Sequence, residues 1–160
     1  MQDFTTPDLF DDHRDTVRTA EAGLNSYGGK DKFFGQAVTV TCPEDNSYAV
    51  EVLKQSGKGK VLVIDGFASK KHAFIGDIMA TTAIENGWEG VIINGCCRDI
   101  EILKTMDIAV MALGVTPRST LKRGFGDKNQ TVNLLGTSIS PNDWVYADVN
   151  GLIISESPLN

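Results

Sequence analysis

The chain has 160 residues, the size of one ordinary domain: long enough to bury a core, too short for two well-formed enzyme domains. Hydrophobic residues at 41% and charged residues at 22%, spread along the chain, exclude disordered and fibrous classes. Fifteen Lys and Arg against 21 Asp and Glu leave a net charge of −6, so direct nucleic-acid binding would need a local basic patch. The short clusters Lys70-Lys71-His72 and Lys122-Arg123 have acids nearby and read as solvated surface. No direct nucleic-acid partner is expected.

The opening Met1-Gln2-Asp3-Phe4-Thr5-Thr6-Pro7 lacks the basic stretch and apolar run of a secretory leader, and no apolar run reaches bilayer length. A cytoplasmic protein without a membrane partner is the expectation. The cysteines, Cys42, Cys96 and Cys97, are odd in number and two are adjacent, which suits reduced thiols. With no Cys-x-x-Cys and only His13 and His72, zinc-type spacings are missing. Any metal here is a hard cation held by oxygen, Mg²⁺ or Mn²⁺.

Taken in order, Thr6 reads as the N-cap of a helix over residues 7–15, with Pro7 at its first position and acids in its first turn. Residues 25–35, with Gly28-Gly29, read as a loop, and residues 36–42 alternate as a strand does. A helix begins among residues 43–47, shows Ala49, Val50 and Leu53 at helical spacing, and ends at Ser56-Gly57. Three apolar runs follow, at 61–64, 91–93 and 108–111, separated by helical segments. Ile78, Met79, Thr82, Ala83 and Ile84 are the expected apolar face of the first, stopped by Asn86-Gly87, and residues 100–106 form the second. Right-handed crossovers make these strands parallel and buried. After Pro117 come short strands at 131–135, 144–147 and 152–154, with Gly136 and Asn150-Gly151 at turns, which read as antiparallel. The expected fold is an α/β single domain over residues 1–160, layered β/β/α, with a parallel β-α-β-α-β unit and antiparallel flanking strands.

Ligands of open α/β sheets gather beyond the carboxyl ends of the strands. Two junctions qualify: residues 65–77, ending in Gly76-Asp77, and residues 94–99, ending in Arg98-Asp99. Free N–H groups where the first helix starts suit a small carboxylate, and the fork of Arg98 suits the same group or a developing enolate. Asp99 offers hard oxygen to a divalent cation, directly or through water, and Asp77 can orient water or move a proton.

Blander readings stand beside these. Asp77 and Asp99 stand where N-caps stand, Arg98 has Asp99 and Glu101 as neighbours to pair with, and Gly76 and Gly95 suit turns. Cys96 and Cys97 have no histidine nearby in sequence to activate them. Gly57-Lys58-Gly59-Lys60 and Gly28-Gly29-Lys30 lack the spacing and the following Ser or Thr of a phosphate loop. Lys70 or Lys71 as a Schiff-base lysine competes with simple solvent exposure; His72 reads as surface or packing, and Trp88 and Trp144 as core or interface anchors.

The run from Gly57 to Gly66 (GKGKVLVIDG), then Gly76-Asp77, residues 85–93 (ENGWEGVII) and Arg98-Asp99, is similar to the RraA-like family. That family holds the regulators of ribonuclease E activity A and the class II 4-hydroxy-4-methyl-2-oxoglutarate aldolases. The resemblance extends over nearly the whole chain, through Thr6-Pro7-Asp8-Leu9, Leu121-Lys122-Arg123-Gly124 and Asp143-Trp144-Val145-Tyr146-Ala147-Asp148 with Asn150-Gly151. Its most specific element is an aspartate, twenty intervening residues and Arg-Asp, met by Asp77, Arg98 and Asp99.

The resemblance implies a swivelling β/β/α fold, a homotrimeric ring that can pair with a second ring, and an active-site cleft between neighbouring subunits. The backbone at Gly76, Asp77, Ile78 and Met79 would contact the pyruvate-like part of a 2-keto acid. Arg98 would bind its carboxylate or carbonyl oxygen, and Asp99 would hold Mg²⁺ or Mn²⁺ largely through water. The implied activity is a metal-dependent lyase working through a pyruvate enolate, as an aldolase or an oxaloacetate decarboxylase. The implied alternative is an inhibitor of ribonuclease E that binds the nuclease rather than RNA. The larger aldolases carry a C-terminal extension with an acidic residue, whereas this sequence stops at Ser157-Pro158-Leu159-Asn160, as the short regulator-like branch does.

Overall fold

The computed structural model describes residues 3–159. The first helix, α1, runs Thr6–His13 and is capped by Thr5, whose Oγ1 accepts from the Asp8 N–H at 3.2 Å. The expected cap, Thr6, lies one residue inside the helix. Its N–H and Oγ1 both donate to the buried carboxylate of Asp148, at 2.8 and 2.7 Å, so its hydroxyl is committed elsewhere.

Two-residue strands β1 (Arg18–Thr19) and β2 (Asn25–Ser26) precede the long β3 (Phe33–Thr41). β2 therefore interrupts the loop expected over 25–35, and β3 starts three residues before the expected 36. Next come α2 (Ser47–Leu53), β4 (Lys60–Ile75), α3 (Asp77–Glu85), β5 (Gly90–Cys97), α4 (Ile100–Leu103) and β6 (Ala109–Val115). The rest is β7 (Asp127–Lys128), a small hairpin of β8 (Val132–Leu134) and β9 (Thr137–Ile139), and the pair β10 (Trp144–Asp148) and β11 (Gly151–Ser155).

The main sheet runs β1-β11-β10-β3-β4-β5-β6-β2, with β7 also on β3. β3, β4, β5 and β6 are mutually parallel, while β1, β2, β7, β10 and β11 join antiparallel. The three apolar runs are thus parallel as expected, and β3 is a fourth member of that unit. Alternation along each strand sorts the side chains into two layers. Leu62, Ile64, Val91, Ile93 and Val110 face the helices, while Val61, Val63, Ile92, Ala109 and Met111 face the β8–β9 hairpin with Val132, Leu134 and Ile139. Hairpin, sheet and helices are the three layers of the expected β/β/α order. A strand buried on both faces reads as an unbroken apolar run, and each large aliphatic side chain it hides is worth about 1.5–3 kcal/mol. A third cluster packs α1 against the outer strands through Leu9, Tyr146 and Ile153. Among the described residues no helix is long and apolar enough to cross a membrane.

Three expectations are corrected. The segments read as connecting loops at 65–75 and 94–97 are strand: β4 and β5 pair through Asp65 and Asn94, and pairing continues with shifted register at Ser69 with Gly95, Ala73 with Cys96 and Ile75 with Cys97. On either side of Ser69 the β4 backbone bulges, with Phe67 and Ala68 in left-handed backbone and Asp65 Oδ1 accepting from the Phe67 N–H at 2.9 Å. On α3 the buried face is Ala80 and Ala83 with Met79 beside them, whereas Ile78 is 78% exposed and Ile84 is also at the surface. Small residues let α3 lie close to its neighbours and turn Ile78 away. The helix expected over 100–106 is one turn, because the chain beyond Leu103 closes into turns whose carbonyls at Met106 and Ile108 accept from Gly29 and Lys30. The stop of α3 is as expected, with Asn86 at the C-cap and Gly87 at φ +77°.

Candidate active site

β4 and β5 end side by side, at Ile75 and Cys97, and the next residues are Gly76 and Arg98. The Arg98 N–H donates to Ile75 O at 2.9 Å, which holds the two exits together. From Gly76 the chain enters α3; from Asp99 it enters α4.

Neither aspartate acts as the side-chain N-cap expected by the bland reading. Gly76 is the N-cap of α3 and Asp77 its first helical residue. Asp99 is the N-cap of α4, but its side chain makes no capping bond there. Instead Asp99 Oδ2 accepts from the Asp77 N–H at 3.1 Å, so the carboxylate leaving β5 caps the helix leaving β4. Asp99 itself sits in left-handed backbone, φ 59° and ψ 36°, a conformation that costs a non-glycine residue energy and aims this carboxylate at the neighbouring helix. Gly76 makes that contact feasible: a Cβ there would lie 2.4 Å from Asp99 Oδ2 and 3.3 Å from Arg98 Cγ.

The first turn of α3 presents amides suited to an anion, and two of them already hydrogen-bond to carboxylates of the chain itself. Asp99 takes the Asp77 N–H, and Asp77 Oδ1 takes the Ile78 N–H at 2.8 Å. The amides expected to be free are therefore partly occupied, the Ile78 one by the partly exposed carboxylate of Asp77. Arg98 lies beside them, with Nε 3.9 Å from Asp99 Oδ2 and Nη1 donating to Pro117 O at 3.3 Å. Of the bland alternatives for Arg98, Asp99 is its partner. One contact to a carbonyl and one loose ion pair leave most of the guanidinium fork available.

Gly76, Asp77, Ile78, Met79, Arg98 and Asp99 line one cleft of about 330 Å³. Sequence reasoning had not assigned its other walls. Asn46, Val50 and Lys54 come from α2 and its cap at i, i+4, i+8 spacing, and Ser119 and Lys122 come from the segment after β6. That segment is pinned by Leu121 O, which accepts from the Asn46 N–H at 3.2 Å, and by Asp45, whose carboxylate accepts from the Arg123 N–H. Asp45 is buried, which pushes its pKa up, but hydrogen bonds from Ser47, Arg123 and Phe125 outweigh this and hold it below the ordinary 3.8. Lining the cleft are three cations, Lys54, Arg98 and Lys122, and two carboxylates, so an acidic chain has a cleft suited to an anion.

Among the described residues no group of three or more His, Cys, Asp or Glu side chains is placed to hold a metal. A cation that keeps most of its water and takes one carboxylate, as Mg²⁺ does, needs no such group. Asp99, cradled against Gly76 at the cleft wall, is such a carboxylate.

The remaining candidates fall away from the cleft. Cys96 and Cys97 are buried, and burial pushes the Cys97 thiol up to about 12 and raises that of Cys96, so neither is a ready nucleophile. Lys70 and Lys71 are exposed on the bulged segment of β4, beside a separate shallow depression. His72 is buried, with Nδ1 3.5 Å from Glu44 Oε1, a packing residue. Trp88 is a core anchor whose Nε1 donates to Leu53 O and Gln55 O, and Trp144 stacks on Phe34.

Comparison with known proteins supplies an independent view. Residues 6–154 match the RraA-like family model, described as Aldolase/RraA. A Pseudomonas entomophila (strain L48) protein provisionally named a 4-hydroxy-4-methyl-2-oxoglutarate aldolase is 48% identical over 159 residues, covering 99% of this chain and 98% of its own. A solved structure described as an S-adenosylmethionine:2-dimethylmenaquinone methyltransferase from Geobacillus kaustophilus HTA426 superposes with a TM-score of 0.95 at 38% identity, covering 98% of this chain and 97% of that one. The RNA-processing inhibitor RraA from Thermus thermophilis also superposes at 0.95, with 33% identity and coverage of 99% and 96%. Three activities are thus named on one fold, so the choice among them rests on the site.

Proposed function

This chain belongs to the RraA-like family, and from the chemistry of its cleft we propose that it is a carbon–carbon lyase acting on small 2-keto acids through a pyruvate enolate. The carrying observation is the meeting of the α3 N-terminus, Arg98 and Asp99 around one cleft, with Gly76 allowing the closest contact. Relatives named as aldolases, matched over nearly their whole length, support the reading.

In this reading the substrate's 1-carboxylate lies at the first turn of α3 against the Gly76–Met79 backbone, taking the Ile78 and Met79 N–H groups and displacing the Asp77 side chain from Ile78 while Asp99 keeps the Asp77 N–H. Arg98 donates to the 2-keto oxygen. As the C3–C4 bond breaks, its electron pair moves into the C2–C3 bond and negative charge gathers on that oxygen, where the guanidinium stabilises it. Asp77, released from the Ile78 N–H, holds the water that returns a proton to C3 and completes pyruvate. Asp99 is the residue that would hold Mg²⁺ or Mn²⁺, and a bound divalent cation supplies Lewis-acid polarisation of the keto group. Retro-aldol cleavage of 4-hydroxy-4-methyl-2-oxoglutarate and decarboxylation of oxaloacetate share this enolate; only the first must also deprotonate a C4 hydroxyl. The assembly that suits the reading is a trimer of single-domain chains with the cleft at the subunit boundary.

A second reading is favoured by the likeness to the Thermus inhibitor. The acidic chain would then occupy a basic surface of a ribonuclease E-type partner without touching RNA. Pyruvate release from both substrates, with Mg²⁺ and with chelator and corrected for decarboxylation by the metal alone, separates the two. Metal-dependent turnover above that blank supports the lyase; none overturns it and leaves the inhibitor.

A further inference from the structure

Asn46 holds the cleft together from a position that sequence reading treats only as part of a helix start. Its Nδ2 donates to Phe74 O at 3.0 Å and contacts Met79 Sδ at 3.2 Å, so one amide group grips the strand before Gly76 and the first turn of α3. It is the cap residue of α2, yet its side chain makes no capping bond. Its Oδ1 is buried and has no donor among the described residues, while the residue as a whole is 4% exposed and lines the cleft. With Nδ2 committed on one side, the amide cannot turn its carbonyl toward another partner without giving up the Phe74 bond.

A buried acceptor without a donor is costly, and at this cleft wall a ligand that carries a donor would satisfy it. A carboxylate or a keto oxygen cannot supply it, because both only accept; a hydroxyl can. Met79, an unbranched thioether already touching the amide, is the adaptable part of this wall that can admit such a group. We infer that Asn46 is a substrate-orienting residue whose Oδ1 accepts a hydrogen bond from the hydroxyl of a bound 4-hydroxy-2-keto acid. It biases the site toward aldol cleavage over simple decarboxylation. This rests on the lyase reading above. An amide is no base, so the hydroxyl proton still leaves to water or carboxylate; Asn46 fixes the direction from which it leaves.

The test uses two variants and two substrates, with Mg²⁺ present throughout. Asn46→Leu removes both ends of the amide, and Asn46→Asp keeps an oxygen acceptor while losing the donor to Phe74. For Asn46→Leu both substrates lose what the grip on Phe74 and Met79 contributes, and kcat/KM for 4-hydroxy-4-methyl-2-oxoglutarate should fall roughly 10-fold or more beyond the fall for oxaloacetate, which lacks the hydroxyl. Asn46→Asp should hold the ratio of the two substrates near that of the parent protein. Equal losses on both substrates in both variants would mean that Asn46 only supports Phe74 and Met79, and would overturn the inference. Failure of the lyase reading looks different, since the parent protein would then turn over neither substrate.

Discussion

The two strand exits that make the cleft are built in opposite ways. At the β4–α3 exit the chain gives up side chains: Gly76 is the cap, and a nine-residue helix presents backbone N–H groups. At the β5–α4 exit it gives up regular backbone: Asp99 is held left-handed before a helix of one turn, and Arg98 and Asp99 present charge. In the proposed reading one exit offers backbone amides to an anion, and the other offers the Arg98 cation to developing negative charge and the Asp99 carboxylate to a divalent cation. The carboxylate of the second caps the helix of the first, which ties the two halves together. The charged side chains are thus placed by a short element with left-handed backbone that a longer regular helix supports.

The strongest test of this division is Arg98→Ala, which removes the group that receives charge and leaves the α3 amides in place. Turnover should fall about 10²- to 10³-fold with little change in melting temperature, measured by pyruvate release and thermal unfolding. Gly76→Ala attacks the junction itself. The new Cβ would meet Asp99 Oδ2, so kcat/KM should drop about 10- to 100-fold at a stability cost near 1–3 kcal/mol, readable from activity and denaturant titration.

Asp99→Asn sharpens the comparison by separating charge from capping. Asparagine tolerates left-handed backbone and still accepts from the Asp77 N–H, so stability should stay within about 1 kcal/mol of the parent. The Mg²⁺ concentration for half-maximal activity should rise at least about tenfold, which a metal titration of initial rates would show.

The smallest effect lies outside both exits and serves as a control. Burial raises the pKa of Asp148, but hydrogen bonds from Thr6 and Asn150 more than offset it, and Asp45 behaves alike, so both lie below their unfolded value of 3.8. A carboxylate depressed in the folded state stabilises above its unfolded pKa, and that contribution is lost as pH falls through the folded value. Denaturation midpoints should therefore be steady down to about pH 4 and fall below it. The same acid-side loss in Asp45→Asn and Asp148→Asn proteins would assign it to other groups.

Much of the scaffold was readable in advance because its signals are local. Val61 to Ile64 and Val91 to Ile93 are continuous apolar runs, which only a doubly buried strand needs, and Asn86-Gly87 ends α3 because glycine accepts its positive φ. The boundaries that moved did so for tertiary reasons. Thr6 is a good cap residue, but Asp148, 142 positions away, takes its hydroxyl; Ile78 has the right spacing for a core face, but Ala80 and Ala83 pack closer. The two-residue strands β1, β2 and β7 carry no pattern of their own and exist because a neighbour offers an edge.

The site divides along the same line. Periodicity places Asp77, Arg98 and Asp99 where strands hand over to helices, their spacing matches the RraA-like pattern, and the structure brings all three to one cleft. Their partners were not legible in the sequence. That Asp99 caps α3 rather than α4, that Asn46 lines the same cleft with an unpaired oxygen, and that residues 119–122 close its far wall depend on contacts between segments far apart in the chain. Local residue order determines which elements form and where they end. Which side chains then meet is decided by packing, because a hydrogen bond needs its donor and acceptor within about 3 Å, and only the closed core brings α2, α3 and the segment after β6 that near.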